Sequence, residues 1–388
     1  MTIQEMLERE DIYTILSTTL EEYFREVCDK DVQVKVERSV FKNPYVVYPR
    51  LGVVVSRIPS WKVAKDIYTQ FNVQGNIKRK VLAWGYITLC FLSFGLLASR
   101  SLYISDKKWC KRYRYILPCN RKIRVFDYKE GIVDAILKTG FSDVYFKNEL
   151  KYRVNPEFSF IPPVINNGER WYRERIIDGV GLVRVKEPHY SEASKMVLDD
   201  IRSIIYRSFH YEDIKPYCNR IIERIKSCVP ILKGEKHIES TDYIEAVLKR
   251  IGEYVEGYQM RVPVVLSHGD LQTGNIMYEP SIKRVSIYDW ETAGNRSIWF
   301  DMGKFLLYSQ RKGRYAYMIE HRDDKEVKEK LLYLDECDDY PMTYVIAVLV
   351  LEELDFFVNE ILDLPGSMGT EIMDRLTDEL KQTSLFRI

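Results

Sequence analysis

Two short stretches carry the residues best suited to chemistry. Residues 264–277 read Val-Val-Leu-Ser-His-Gly-Asp-Leu-Gln-Thr-Gly-Asn-Ile-Met, and residues 285–291 read Val-Ser-Ile-Tyr-Asp-Trp-Glu. An apolar run delivers His268, Gly269 and Asp270, Asn275 follows Asp270 by five positions, and a second β-rich run delivers Asp289 and Glu291. Phosphoryl transfer asks little covalent work of a protein. It needs a carboxylate beside the attacking hydroxyl and oxygen ligands that hold Mg²⁺ against the phosphates. Asp270 suits the first task, and Asn275 and Asp289 suit the second. Gly269 and Gly274 let the backbone turn sharply around Asp270. The branched apolar residues at 264–266 and 276–278 predict short strands flanking that loop.

The ordered set His268-Gly-Asp270-Leu-Gln-Thr-Gly-Asn275, followed by Asp289-Trp-Glu291, resembles the catalytic loop and metal segment of the aminoglycoside phosphotransferase and choline kinase family, a branch of the protein-kinase-like superfamily. That resemblance implies an α+β, bilobal fold: a small antiparallel β lobe and a large, mainly helical lobe, here with an N-terminal α/β extension. It also implies ATP or GTP with Mg²⁺ as cofactors. Asp270 would be the catalytic base, His268 would brace the loop, and Gln272 stands where choline kinases often carry Gln. Asn275 and Asp289 would bind Mg²⁺. Phe300-Asp-Met-Gly303 fits the same pattern, with Asp301 buttressing the loop from the following helix.

The elements that must position these groups follow from periodicity. Residues 1–105 form the extension, 106–178 the small lobe and 179–388 the large lobe, with catalytic loop 268–275 and metal segment 289–291. In the small lobe, 115–118 and 122–128 read as a hairpin and 131–138 as the next strand. Lys138 closes that run in the manner of the kinase Val-Ala-Ile-Lys strand, and Glu149, in a helix over 143–154, is placed to pair with it. The turn 118–122 holds no glycine, so Arg121 or Lys122 would supply charge to the phosphates instead. Strands at 158–165 and 170–177 lead to a hinge-like segment, where Glu174 and Ile176 would lie beside the adenine. The large lobe reads as helices over 191–209, 214–228, 241–259, 301–310, 344–362 (ended before Pro365-Gly366) and 372–383.

Lysines and arginines number 58 against 57 acids, so nothing global favours nucleic acid as a partner. Seven scattered cysteines, without a Cys-x-x-Cys pair, suit a reducing compartment, and the acidic N-terminus is no secretory signal, so a cytoplasmic location is expected. In the extension, 3–27 read as helix, 32–36 and 46–55 as strands, and a helix starts after Ser60. Residues 81–99 carry no charge and lie between Lys78-Arg-Lys80 and Arg100. Interrupted by Gly85, Thr88, Ser93 and Gly95, they read as a helix packed on the protein, with attachment to the cytoplasmic membrane surface as the alternative. The basic aromatic run 107–114 reads as a solvated strand edge, or as an addition to that membrane contact, which would then span 78–114. Trp290, Glu291 and Trp299 suit a quaternary ammonium or aminosugar acceptor, unless the tryptophans are core. The expected function is phosphoryl transfer from ATP to a hydroxyl of a sugar, aminosugar, glycan or amino-alcohol such as choline. The alternatives are a nucleotide-binding pseudokinase scaffold and a membrane-surface glycolipid kinase, the latter because the extension resembles that of bacterial kinase-like proteins of surface-polysaccharide pathways.

Overall fold

Branched and aromatic residues of the first 178 positions pair into an antiparallel sheet whose strands are β1 (Val34–Glu37), β2 (Tyr45–Tyr48), β3 (Val53–Ser56), β4 (Arg100–Ile104), β5 (Arg114–Pro118), β6 (Lys122–Asp127), β7 (Ile132–Leu137), β8 (Val164–Asn167) and β9 (Trp171–Arg175). Their order is β1-β4-β2-β3-β5-β6-β7-β9-β8. The protein is seen here as a computed structural model that describes residues 3–39, 43–70, 77–236, 238–306, 314–332, 340–364 and 369–386. It divides into two units, residues 1–156 with 162–178, and residues 157–161 with 179–388.

In the first unit, β5-β6-β7-β9-β8, with helix α5 (Val144–Arg153) inserted between β7 and β8, is the small-lobe arrangement that the kinase resemblance implies. The extension is not a separate body. Its four strands continue the same sheet, with β3 pairing β5 at Val54↔Ile116. The expected strand over 46–55 is a hairpin, broken at Pro49 and closed by Gly52 at φ +66°.

Alternation along the strands gives the sheet two apolar faces. On one, α1 (Ile3–Leu7) and α2 (Ile12–Cys28) set Met6, Leu16, Leu20 and Phe24 against Val47, Val54, Ile123 and Ile136. Asp11 caps α2, accepting from the Thr14 amide at 3.3 Å. On the other, α3 (Trp61–Gln70) and α4 (Ile77–Leu92) set Val63, Ile67, Ile87 and Cys90 against Val46, Val55 and Tyr115. The run 107–114 is not a strand edge: it turns, and Trp109 packs against Phe24 and Tyr45.

The second unit holds β10 (Val180–Gly181), α6 (His189–Ser208), β11 (His210–Asp213), α7 (Ile214–Gly234), α8 (Thr241–Glu256), β12 (Arg261–Ser267), β13 (Ile276–Glu279), β14 (Arg284–Ile287), β15 (Gly294–Ser297), α9 (Ile298–Leu306), α10 (Arg314–Glu320), α11 (Lys325–Leu331), α12 (Met342–Asp363) and α13 (Thr370–Lys381). Two small sheets, β10-β13-β14 and β11-β12-β15, frame the catalytic loop. Residues 307–310 of the expected helix 301–310, the Pro365-Gly366 stop and Cys337 lie outside the described residues. The other six cysteines are free thiols.

Helix α12 is core, as its apolar run predicts, but it also buries Glu352, Glu353 and Asp355. Glu352 accepts from the Ser297 amide at 2.5 Å, from Ser297 Oγ at 2.6 Å and from the Tyr217 hydroxyl. Burial raises its carboxyl from the ordinary value to about 7, against the pull of the Ser297 and Tyr217 hydrogen bonds. A carboxyl raised by folding stabilises the native state fully below its unfolded pKa, and that contribution is lost as pH rises through 7. Glu352→Gln should therefore match the wild type near pH 4.5 and gain relative stability, on the order of 3 kcal/mol at most, by pH 8. Urea unfolding of both proteins across that range reads this directly. A constant difference would contradict the assignment.

Candidate functional site

Two sets of polar groups, one in each unit, hold the residues that the sequence singles out. In the first unit, Lys122 at the start of β6 lies opposite Leu137 of β7, so the two side chains share a face. Lys122 Nζ meets Glu149 Oε2 of α5 at 2.5 Å, and Glu149 Oε1 takes Arg153 Nη1 at 2.8 Å and the Tyr172 hydroxyl at 3.0 Å. Arg153 also meets the Glu174 carboxylate. Two cations and two carboxylates thus balance in a buried network. Burial works against the Arg153 charge, and Glu174, Tyr172 and Glu149 outweigh it, holding the guanidinium above its usual pKa. Burial followed by Glu149 pushes the Tyr172 hydroxyl up.

This arrangement corrects the expected lysine. Lys138 follows Leu137 and so points to the opposite face of the sheet, where Ile136 packs. There Lys138 Nζ meets Glu10 Oε1 at 2.6 Å and lies 5.3 Å from the centre of the Phe141 ring. Desolvation lowers its pKa, with Glu10 opposing. Glu149 therefore pairs with the lysine one strand earlier. Arg121 is buried with its guanidinium 4.1 Å from the centre of the Tyr145 ring, so it is not a loose charge in the turn. The hinge expectation is also modified: Glu174 is committed to Arg153, and the Ile176 amide donates to the Gly131 carbonyl at 2.9 Å.

In the second unit the catalytic loop hangs from one carboxylate. Asp301 of α9 accepts from the His268 amide at 2.6 Å and from the Gly269 amide at 3.1 Å. Gly269 sits at φ +86°, and a Cβ there would lie 2.3 Å from the Thr292 carbonyl oxygen, so only glycine fits. His268 Nε2 donates to the Tyr288 carbonyl at 3.0 Å while Nδ1 accepts from the Asp270 amide at 3.2 Å. The two partners fix the tautomer. Asp270 keeps 30% of its side chain exposed. Its Oδ2 takes the Gln272 amide at 2.8 Å and the Asn275 amide at 3.0 Å.

Asn275, buried at the end of the loop, donates its side-chain amide to the Asp270 carbonyl at 2.9 Å and to Asp270 Oδ2 at 3.0 Å. Asp289 is held at φ +70°, and its carboxylate and that of Glu291 have oxygens within 4.8 Å of each other. Hard oxygen donors of this kind suit Mg²⁺. The two tryptophans are core residues and do not face an acceptor: Trp290 is fully buried, donates to the Ile287 carbonyl at 2.8 Å and lies edge-on to His268, while Trp299, also fully buried, packs edge-on to Tyr340 and Tyr344.

One group went unforeseen. Lys304 Nζ lies 4.0 Å from Asp270 Oδ1, 3.4 Å from Glu353 and 3.9 Å from the centre of the Phe356 ring. The sequence signal was its place three residues after Asp301, which puts both on one helix face.

Residues 190–336 match the family model described as choline/ethanolamine kinase. Solved structures similar to the chain include a choline/ethanolamine kinase family protein from Mesorhizobium loti (14% identity, 71% of this chain and 90% of that one, TM-score 0.46). Others are a Plasmodium vivax ethanolamine kinase (12%, 84% and 94%, TM-score 0.43) and an aminoglycoside phosphotransferase from Streptomyces rimosus (13%, 62% and 92%, TM-score 0.39). No curated protein sequence matches. The matched segment contains the catalytic loop, the Asp289–Glu291 turn and α9, which bears out the resemblance drawn from those motifs and supports a kinase acting on a small-molecule hydroxyl.

Asp301→Ala should leave two buried amides unpaired, costing about 1–3 kcal/mol for each, whereas Asp301→Asn keeps one acceptor and should lose less. Equal losses of the two variants in chemical denaturation would show that these hydrogen bonds do not hold the loop.

Proposed function

We propose that this chain, which shares the choline/ethanolamine kinase pattern over residues 190–336, transfers the γ-phosphoryl group of ATP to a hydroxyl of an uncharged, sugar-like acceptor. The observation that carries the reading is Asp270, part-exposed on a loop anchored by Asp301, with Oδ2 engaged by two amides and Oδ1 4.0 Å from the Lys304 ammonium. In the transfer, the acceptor oxygen bonds to the γ phosphorus as the bond to the β-phosphate oxygen breaks, and the hydroxyl proton passes to Asp270 Oδ1. Asn275 and Asp289 would hold Mg²⁺, which neutralises charge on the phosphates when bound. Lys122, fixed by Glu149, takes the phosphate-binding role expected of Lys138.

Lys304 supports the uncharged acceptor. An acidic and aromatic setting next to the base, with Glu353, Phe356 and Phe300, is what would hold the cation of a choline-like alcohol. Here the chain's own ammonium fills it, 4.9 Å from the centre of the Phe300 ring as well. A second cation there would meet repulsion.

Labelled-phosphate transfer from ATP onto neutral sugars, aminosugars, choline and ethanolamine tests both parts. Asp270→Asn should cut transfer by ~10²–10⁴-fold with nucleotide affinity nearly unchanged; full activity in that variant would refute the base assignment. Neutral sugars should be preferred over choline, and preference for choline would sink the acceptor reading while leaving the kinase reading intact.

A further inference from the structure

Helix α4 and the turn after it present an outward face unlike that of an ordinary surface helix. Its inner side is seated on the sheet: Ile87 and Cys90 are buried, and the Tyr48 hydroxyl donates to the Cys90 carbonyl at 2.7 Å. The outer side is where charged residues are expected. Instead Ile77, Val81, Leu82, Trp84, Leu89 and Leu92 are exposed there, Leu82 at 72% and Leu92 at 66%, and Phe94, Leu96 and Leu97 extend the patch at 60%, 64% and 51%. Such a contiguous apolar patch marks a contact surface.

The charge around it selects the partner. Lys78, Arg79 and Lys80 follow one another at the start of the helix, Arg100 follows the turn, and no acidic residue lies between Asp66 and Asp106. Lys78 is exposed beside the apolar face. No helix among the described residues is long and apolar enough to cross a membrane.

We propose that the outer face of residues 77–97 docks on the surface of an anionic phospholipid bilayer, with the leucines in the acyl boundary, Trp84 at headgroup level and the basic run on the lipid phosphates. An apolar face flanked by lysine and arginine without acids is the pattern of a helix lying in the interface plane. Because the inner side is pinned to the sheet, the helix needs no refolding to bind.

Co-sedimentation of the full chain with vesicles tests this. The protein should bind phosphatidylcholine vesicles containing phosphatidylglycerol, bind pure phosphatidylcholine far less, and release as salt is raised. The exposed triple variant Leu82→Ser/Leu89→Ser/Leu92→Ser should lose binding while keeping the wild-type circular dichroism spectrum. Lys78→Ala/Lys80→Ala should weaken it roughly fivefold per charge, and serves alone if the leucine variant does not fold. Failure to bind anionic vesicles would overturn the proposal. So would sedimentation as a dimer that the leucine substitutions dissolve, because the face would then be covered by a second copy.

Discussion

Alternation of side chains along β6 and β7 decides which cation can meet Glu149. A strand sends successive residues to opposite faces, and the Lys122↔Leu137 register leaves Lys138 on the side of α1 and α2. From this one constraint follow two buried pairs with different work. Lys138 with Glu10 ties the N-terminal helices to the sheet, and Lys122 with Glu149 stands in the network that links β6, α5 and β9. Removing one member of such a buried set leaves an uncompensated charge, at a cost of about 3–5 kcal/mol. That cost keeps the network intact.

The second unit solves a similar problem by backbone anchoring. Asp301 satisfies two consecutive amides of a loop that turns through a left-handed glycine, and His268 ties the same loop to the carbonyl of Tyr288. Asp270 is therefore held in place by the fold itself, as the proposed transfer would require. Lys304 adds a positive charge 4.0 Å from Asp270 Oδ1.

The sequence was most legible where chemistry depends on local order. His268, Asp270, Asn275, Asp289 and Asp301 fall in a short span whose spacing alone announces the loop, and the family match covers it. Helices over 143–154 and 344–362 and the hairpin 115–128 were legible from periodicity, and they form close to those bounds. Pairings that depend on strand register were not. Lys138 ends an apolar run as a kinase lysine does, but which lysine faces Glu149 is set by cross-strand alignment, which no local pattern encodes. Trp290 and Trp299 stay open between acceptor and core at the level of sequence, because aromatic composition near a site does not say which side of the chain faces the core; both are core. That residues 1–105 continue the sheet of the small lobe rests on β3 pairing with β5, which nothing local encodes.

The most direct test is calorimetric titration of Mg²⁺-ATP into Lys122→Met and Lys138→Met, with folding of each checked by thermal denaturation. Loss of a charge-assisted contact should weaken nucleotide affinity by ~10-fold or more in Lys122→Met, while Lys138→Met binds nucleotide like the wild type and is less stable. The reverse, weak binding in a folded Lys138→Met and full affinity in Lys122→Met, would contradict the assignment of the phosphate-binding lysine.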